Sequence, residues 1–304
     1  MEHIPVLLSE CLHALALDSG ANIIDCTLGD GGHSAAILEK TSPNGKLLGF
    51  DADRESLKRT KKRLEVFADR ITLVNKNFVH LAQTVQETGF GPVHGILMDL
   101  GWSSPQFAER GRGFSFQTEE PLDMRFTPED GSKTAADILN TFAASELEEV
   151  FIQYGEERQA KRIAARIAQT RKNKPYKTTT DIVNTVLEVY REVLRTDAAV
   201  PWVGGNHPAT KTFQALRITV NNELDVLEKT INQAIDVLAP GGRLAIISFH
   251  SLEDRIVKHQ FKSATVRGLV KIETKKPITP TDKECDTNIR ARSAKLRVCT
   301  KLFV

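Results

Sequence analysis

Asn22-Ile23-Ile24-Asp25-Cys26-Thr27-Leu28-Gly29-Asp30-Gly31-Gly32-His33-Ser34, continued by Ala35-Ala36-Ile37-Leu38-Glu39-Lys40 and then by Lys46-Leu47-Leu48-Gly49-Phe50-Asp51-Ala52-Asp53, reads as a strand, a helix and a second strand. Glycines at the first turn let a ligand come close to the backbone, and an acid at the tip of the second strand suits both hydroxyls of a ribose. The stretch predicts an adenosine-bearing cofactor. A dinucleotide needs a helix N-terminus left free for pyrophosphate, usually within G-x-G-x-x-G. Here Ser34 stands at the third glycine position, and Asp25 and Asp30 lie where a pyrophosphate would sit. Carboxylates repel a phosphate and suit the sulfonium and ammonium of S-adenosylmethionine, which is therefore favoured over NAD. A glycine-rich turn that binds nothing is the third reading of such a motif.

Working outward, Leu7, Leu8, Cys11, Leu12 and Leu15 repeat at helical spacing, and strands at 22–28, 46–51, 71–74 and 95–99 alternate with helices near 33–40, 54–67 and 80–88. Such alternation implies a parallel sheet with its site at the carboxyl ends of the strands, where Asp25, Asp51, Phe78 and Asp99 would gather. From Pro121 to about Pro208 the pattern turns helical and charge-rich, as expected of an inserted helical domain. Its middle segment carries Arg158, Lys161, Arg162, Arg166, Arg171, Lys172, Lys174 and Lys177, read either as a solvated face or as a phosphate-binding one. A long helix from Lys211 to Leu238 then stops at Pro240-Gly241-Gly242 and leads into the apolar strand 243–249. A helix near 251–263, a strand at 269–273, a polar loop with Pro277 and Pro280, and a last strand within 296–303 complete seven strands, the last pair antiparallel. This is the architecture of a class I methyltransferase.

The chain has 304 residues and a formal charge of +2, so a core domain with an insertion is expected and any nucleic-acid site must be local. Four cysteines, at 11, 26, 285 and 299, form no C-x-x-C pair and no metal-like spacing with the eight histidines. Reduced thiols, no metal and a cytoplasmic location are the expectations, and the absence of a long apolar run argues against a membrane span.

Several strings are more specific. His3-Ile4-Pro5-Val6-Leu7-Leu8, Asp99-Leu100-Gly101-Trp102-Ser103-Ser104-Pro105-Gln106, Arg112-Gly113-Phe114-Ser115-Phe116, Pro121-Leu122-Asp123-Met124-Arg125, Phe213-Gln214-Ala215-Leu216-Arg217-Ile218, Ser248-Phe249-His250-Ser251-Leu252-Glu253-Asp254-Arg255 and Arg290-Ala291-Arg292-Ser293-Ala294-Lys295-Leu296-Arg297 follow one another in this order. With them the chain resembles the RsmH (MraW) family over nearly its whole length. The resemblance implies an S-adenosylmethionine-dependent enzyme that methylates N4 of a cytidine in the decoding centre of bacterial 16S rRNA, on the small ribosomal subunit. It also implies an α/β, Rossmann-like class I methyltransferase fold with an inserted all-helical substrate-recognition domain. We place the boundaries at 1–112, 113–210 and 211–304, and expect a monomer or weak homodimer with no membrane contact.

The resemblance assigns the cofactor to Gly31, Gly32 and His33 at the first turn, Asp51 at the ribose, Phe78 against the adenine, and Asp99 and Gln106 at the fourth strand. An exocyclic amine is a poor nucleophile, so hydrogen-bond acceptors must orient it and take its proton. Asp99, Ser103 and Ser104 are the candidates, Asp99 foremost, with His250 at the end of the fifth strand as a further catalytic group. Arg112, Arg125, Arg217, Arg290, Arg292, Lys295 and Arg297 are candidate phosphate contacts. Trp102 and Asp30 depart from the usual family pattern. Two other classes stay open: a nicotinamide-dependent oxidoreductase, and a non-catalytic ribosome-assembly factor that keeps the fold and the RNA surface.

Overall fold

The computed structural model describes residues 4–100, 111–128, 131–202 and 205–303. The chain divides into two compact units, one of residues 1–103 with 224–304 and the other of residues 104–223. The sequence reading put the breaks at 112/113 and 210/211; the difference at the second break comes from a helix pair described below.

The first unit is built on a seven-stranded sheet: β1 (Ile23–Asp25), β2 (Leu47–Phe50), β3 (Ile71–Val74), β4 (Val93–Asp99), β5 (Leu238–Ser248), β6 (Val270–Ile272) and β7 (Lys295–Lys301), in the spatial order β3-β2-β1-β4-β5-β7-β6. β1 to β5 are parallel, while β7 runs antiparallel to both β5 and β6. The strand order reverses between β1 and β4, the position where open α/β sheets hold their ligands. Alternate residues sort to opposite faces, as the period of a strand requires. Ile24, Ile96, Met98, Leu244 and Ile246 pack on one side, and Ile23, Leu97, Ala245 and Ile247 on the other. Helices α1 (Leu8–Ala14) and α2 (Gly32–Lys40) cover the latter face.

α3 (Arg54–Arg63) begins where Asp53 accepts from the amides of Glu55 and Ser56, which satisfies donors a helix start leaves open. The expected helix 54–67 ends early and continues as a 3-10 turn, Glu65–Arg70. α4 (Leu81–Thr88) closes on Gly89 in the left-handed conformation.

The second unit contains α5 (Ala135–Thr141), α6 (Ala144–Gln153), α7 (Ala160–Thr170), α8 (Thr179–Leu194) and α9 (Thr210–Asn221), around its own core of Leu139, Leu147, Phe151, Ile163, Ile182 and Leu216. The long helix expected from 211 to 238 is two helices, α9 and α10 (Glu223–Val237), because Asn222 is left-handed with φ of 49°. Asparagine tolerates that conformation better than most residues. The Asn221 carboxamide fixes the break by accepting from the Phe126 amide at 2.8 Å and donating to the Met124 carbonyl at 2.8 Å. Pro240-Gly241-Gly242 is no simple stop either: Leu238 pairs with Val93 and Arg243 with Gly95, so the intervening residues form an irregularity inside β5. α11 (Ser251–Val266) follows, and the expected polar loop contains the short helix α12 (Asp282–Thr287).

Candidate active site

Gly29 and Gly31 are both left-handed, with φ of 51° and 73°. A side chain at Gly31 would meet the Thr60 methyl, and one at Gly32 would meet Pro5, whereas at Gly29, among the described residues, nothing but the Thr27 carbonyl lies within reach, at 3.9 Å. The glycines assigned to the cofactor are thus glycines because protein packs against them; the open approach is at Gly29. The Thr60 hydroxyl donates to the Gly29 carbonyl at 2.5 Å and the Gly29 amide donates to Asp51 Oδ2 at 3.0 Å, so the turn is held from α3 and from the end of β2. α2 starts at Gly31 without a side-chain cap or an acidic first turn, leaving its positive end available to a carboxylate.

The acids gather at the carboxyl ends of the strands, as expected. Asp51 accepts from the amides of Gly29 and Asp53, and Asn75 holds the turn by donating to the Asp51 carbonyl at 2.9 Å and the Ala52 carbonyl at 3.0 Å. Burial pushes the Asp51 carboxyl up to about 7, against the pull of the Asp53 amide. Asp25 is also pushed up by burial; its oxygens turn inward, to the Ser34 hydroxyl at 2.6 Å and the Thr27 amide at 3.1 Å. Asp30 corrects the sequence argument further, since it pairs with Arg59 at 3.2 Å and its charge is matched locally. Phe78 opens the 3-10 turn after β3 and is half-buried against the sheet core.

Asp99 ends β4 beside β1, and its amide donates to the Thr27 hydroxyl at 2.6 Å. His33 is buried, with Nε2 3.0 Å from the Val6 carbonyl and Nδ1 3.7 Å from Asp99 Oδ2. Neither Thr27, Thr60 nor Val6 carries a sequence signal of chemistry; each acts by holding a neighbour that does. The string 3–8 now has a function in the fold, because Pro5 and Val6 brace the start of α2.

His250 is the N-cap of α11, its Nδ1 accepting from the Glu253 amide at 3.4 Å and its Nε2 3.0 Å from Glu253 Oε1. Glu253 in turn accepts from the amides of Phe249 and His250. Nδ1 thus caps the helix start, while the buried Nε2 makes no hydrogen bond among the described residues. Ser103, Ser104 and Gln106, with Trp102, lie outside the described residues.

The profile of the MraW methylase family matches residues 1–302. Ribosomal RNA small subunit methyltransferase H of Heliobacterium mobile is 46% identical over 316 aligned positions, covering 99% of each chain. The protein of the same name from Clostridioides difficile is 40% identical over 315, again covering 99% of both.

The chain belongs to the MraW methylase family.

Among solved structures, a putative rRNA-methylase from Clostridium thermocellum covers 99% of both chains at 11% identity, with a TM-score of 0.48. As a methyltransferase the chain takes S-adenosylmethionine as its methyl donor; the glycine turn, the uncapped start of α2, Asp51 and Phe78 are the described residues that would hold it.

The basic residues of this methylase divide sharply. Arg125 grips Asp123 at 2.7 Å, Arg217 grips Glu223 at 2.7 Å and Arg297 grips Asp254 at 2.6 Å. Arg112 donates to the carbonyls of Arg125 and Phe126. These four side chains are engaged within the framework of their own unit. Arg290 and Arg292 remain, and Lys295, in register with Ser248 at the carboxyl end of β5, shares Asp254 with Arg297 at 3.5 Å. In the second unit Arg166 is ion-paired with Glu188 and Glu192, Arg171 donates to the Leu139 carbonyl and Lys174 pairs with Asp181. Arg158, Lys161, Arg162, Lys172 and Lys177 are exposed.

Proposed function

We propose that the chain transfers the methyl group of S-adenosylmethionine to the exocyclic N4 of a cytidine in the decoding centre of 16S rRNA, in the cytoplasm and on the assembled small subunit. The observation that carries this is the likeness, over 99% of both chains, to relatives named ribosomal RNA small subunit methyltransferase H.

The bound methyl donor supplies a methyl group on a sulfonium, already electrophilic enough for an amine to displace. What remains for the protein is to hold an acceptor nitrogen in line, about 3 to 3.5 Å away, and to exclude water. Asp51 and Phe78 seat the adenosine. Asp99, at the strand-order reversal, accepts an N–H of the amine and receives the proton. Ser103 and Ser104, four and five residues on in the sequence, are further acceptors. His250, which caps α11 through Nδ1 and keeps a buried Nε2 without a hydrogen-bond partner among the described residues, is the further catalytic group. Arg290, Arg292 and Lys295 bind phosphates of an RNA whose target base has left its stack. Among the described residues no helix is long and apolar enough to cross a membrane, in keeping with a substrate free in the cytoplasm.

Labelled S-adenosylmethionine is offered to small subunits from a strain lacking the activity and, in parallel, to naked 16S rRNA, followed by nucleoside analysis. Label in N4-methylcytidine, higher on the subunit, is the expected result. Absence of label despite measurable binding of the methyl donor would replace this reading with that of an assembly factor.

A further inference from the structure

We infer that His33 is a positioning residue for the transfer: together with Asp99 it holds the proton that the acceptor amine loses. This rests on the function proposed above. The Val6 carbonyl can only accept, so the nitrogen that meets it, Nε2 at 3.0 Å, carries the hydrogen. Nδ1 is then the lone-pair nitrogen, and it looks at Asp99 Oδ2 across 3.7 Å, beyond hydrogen-bond length. A lone pair and a carboxylate repel each other, and a proton between them turns the contact attractive. The pair is thus better satisfied after the amine has given up its proton than before. Only an interaction stronger late in the reaction than early accelerates it.

The ring is kept in this setting. His33 is 8% exposed, Pro5 fills the space beside Gly32, the Leu7 amide donates to Glu284 at 2.8 Å and Asn288 donates to the Ile4 carbonyl at 3.1 Å. Residues 4–7 are therefore fastened on both sides of the carbonyl that selects the tautomer. Asp99 is fastened through its own amide to Thr27.

In the transfer, the N4–carbon bond forms as the carbon–sulfur bond breaks, and the sulfur leaves as a neutral thioether with the bonding pair. The nitrogen, now cationic, recovers its electrons as one N–H bond breaks, and that proton passes to Asp99 and lies between Oδ2 and Nδ1. It leaves to solvent once the product has gone, so no further reactant is needed. Among the described residues, the titratable groups around the pair include Asp25 on β1 and Cys11 on α1, whose thiol is pushed up by burial and by Asp99, and beyond it Glu10 and Glu284.

The test is H33Q and H33N in the full chain, which keep an amide nitrogen near Nε2 and near Nδ1 respectively but cannot take up a proton. With methyl donor saturating, kcat and KM for small subunits are measured across pH, alongside S-adenosylhomocysteine affinity and the thermal midpoint. The expected result is a loss of kcat on the order of 10- to 100-fold that exceeds any loss of S-adenosylhomocysteine affinity, with KM for small subunits and midpoint near wild type. The fall of wild-type kcat at acid pH should move or vanish. Unchanged kcat, a loss that keeps the wild-type pH profile, or a matching loss of affinity in both variants would overturn the inference. A wild-type enzyme that labels some other nucleoside would instead overturn the assigned target, and the same comparison on that nucleoside would still judge His33.

Discussion

Asp51 carries the clearest pH dependence in the molecule. Its carboxyl is raised by burial from 3.8 to about 7, so the folded chain keeps a proton there that the unfolded chain has lost. The stability contributed by this group is fully present below the unfolded value and is lost as pH rises through about 7. Binding runs the other way, because the ionised carboxylate is the better acceptor for ribose hydroxyls. S-adenosylhomocysteine affinity should rise as pH rises toward and through about 7, falling on the order of tenfold per unit below it; calorimetric titration of wild type and D51N checks this, with the variant expected to be flat. Gly31→Ala places a side chain against Thr60 at a φ of 73°. The left-handed backbone alone costs roughly 1–2 kcal/mol, so a lowered denaturation midpoint is expected, with weakened binding of the methyl donor. Asp99→Ala should lower transfer about 100-fold or more while its circular dichroism stays that of the wild type; turnover at the wild-type rate would remove Asp99 from the chemistry. At this scale the placing of Asp51 and Asp99 at the carboxyl ends of parallel strands was legible from the strand pattern. The capping contact of His250 was not, because a histidine after a strand reads alike as base or as cap until the Glu253 amide is placed against Nδ1.

At the scale of elements, α7 shows how a basic helix is divided by its neighbours. Eight basic residues from 158 to 177 look equivalent in one dimension, yet Arg166 belongs to the acids of α8 and Arg171 to the end of α5. Replacing Arg158, Lys161 and Arg162 together by alanine should weaken RNA binding and reduce its salt slope by about 2, at roughly 0.7 per phosphate contact for single strands. Arg166→Ala should leave the slope alone and lower the stability of the helical unit. Filter binding over a salt series distinguishes them, and an unchanged slope in the triple variant would make the face merely solvated. The insertion reads as helical because α6, α7 and α8 each bury one apolar stripe. Period merged α9 with α10, because nothing in the apolar pattern marks the left-handed turn at Asn222.

For the whole molecule, the second unit has a buried core of its own, so residues 104–223 expressed alone should melt cooperatively; a broad, featureless transition would show that the core needs the first unit. By itself the sequence determined the order of strands and helices, the parallel core with its antiparallel end, the cofactor turn and the family, since these rest on local period, on turn chemistry and on strings of residues. Only the tertiary structure decided which charges are available. Asp25, Asp30, Arg112, Arg125, Arg217 and Arg297 are all engaged by residues of their own unit, at separations from two residues in the chain to more than forty. It also decided that Pro5 and Val6 stand behind His33. Charge pairing and bracing depend on distances that a chain fixes only when it folds, whereas the pattern that makes it fold is written locally.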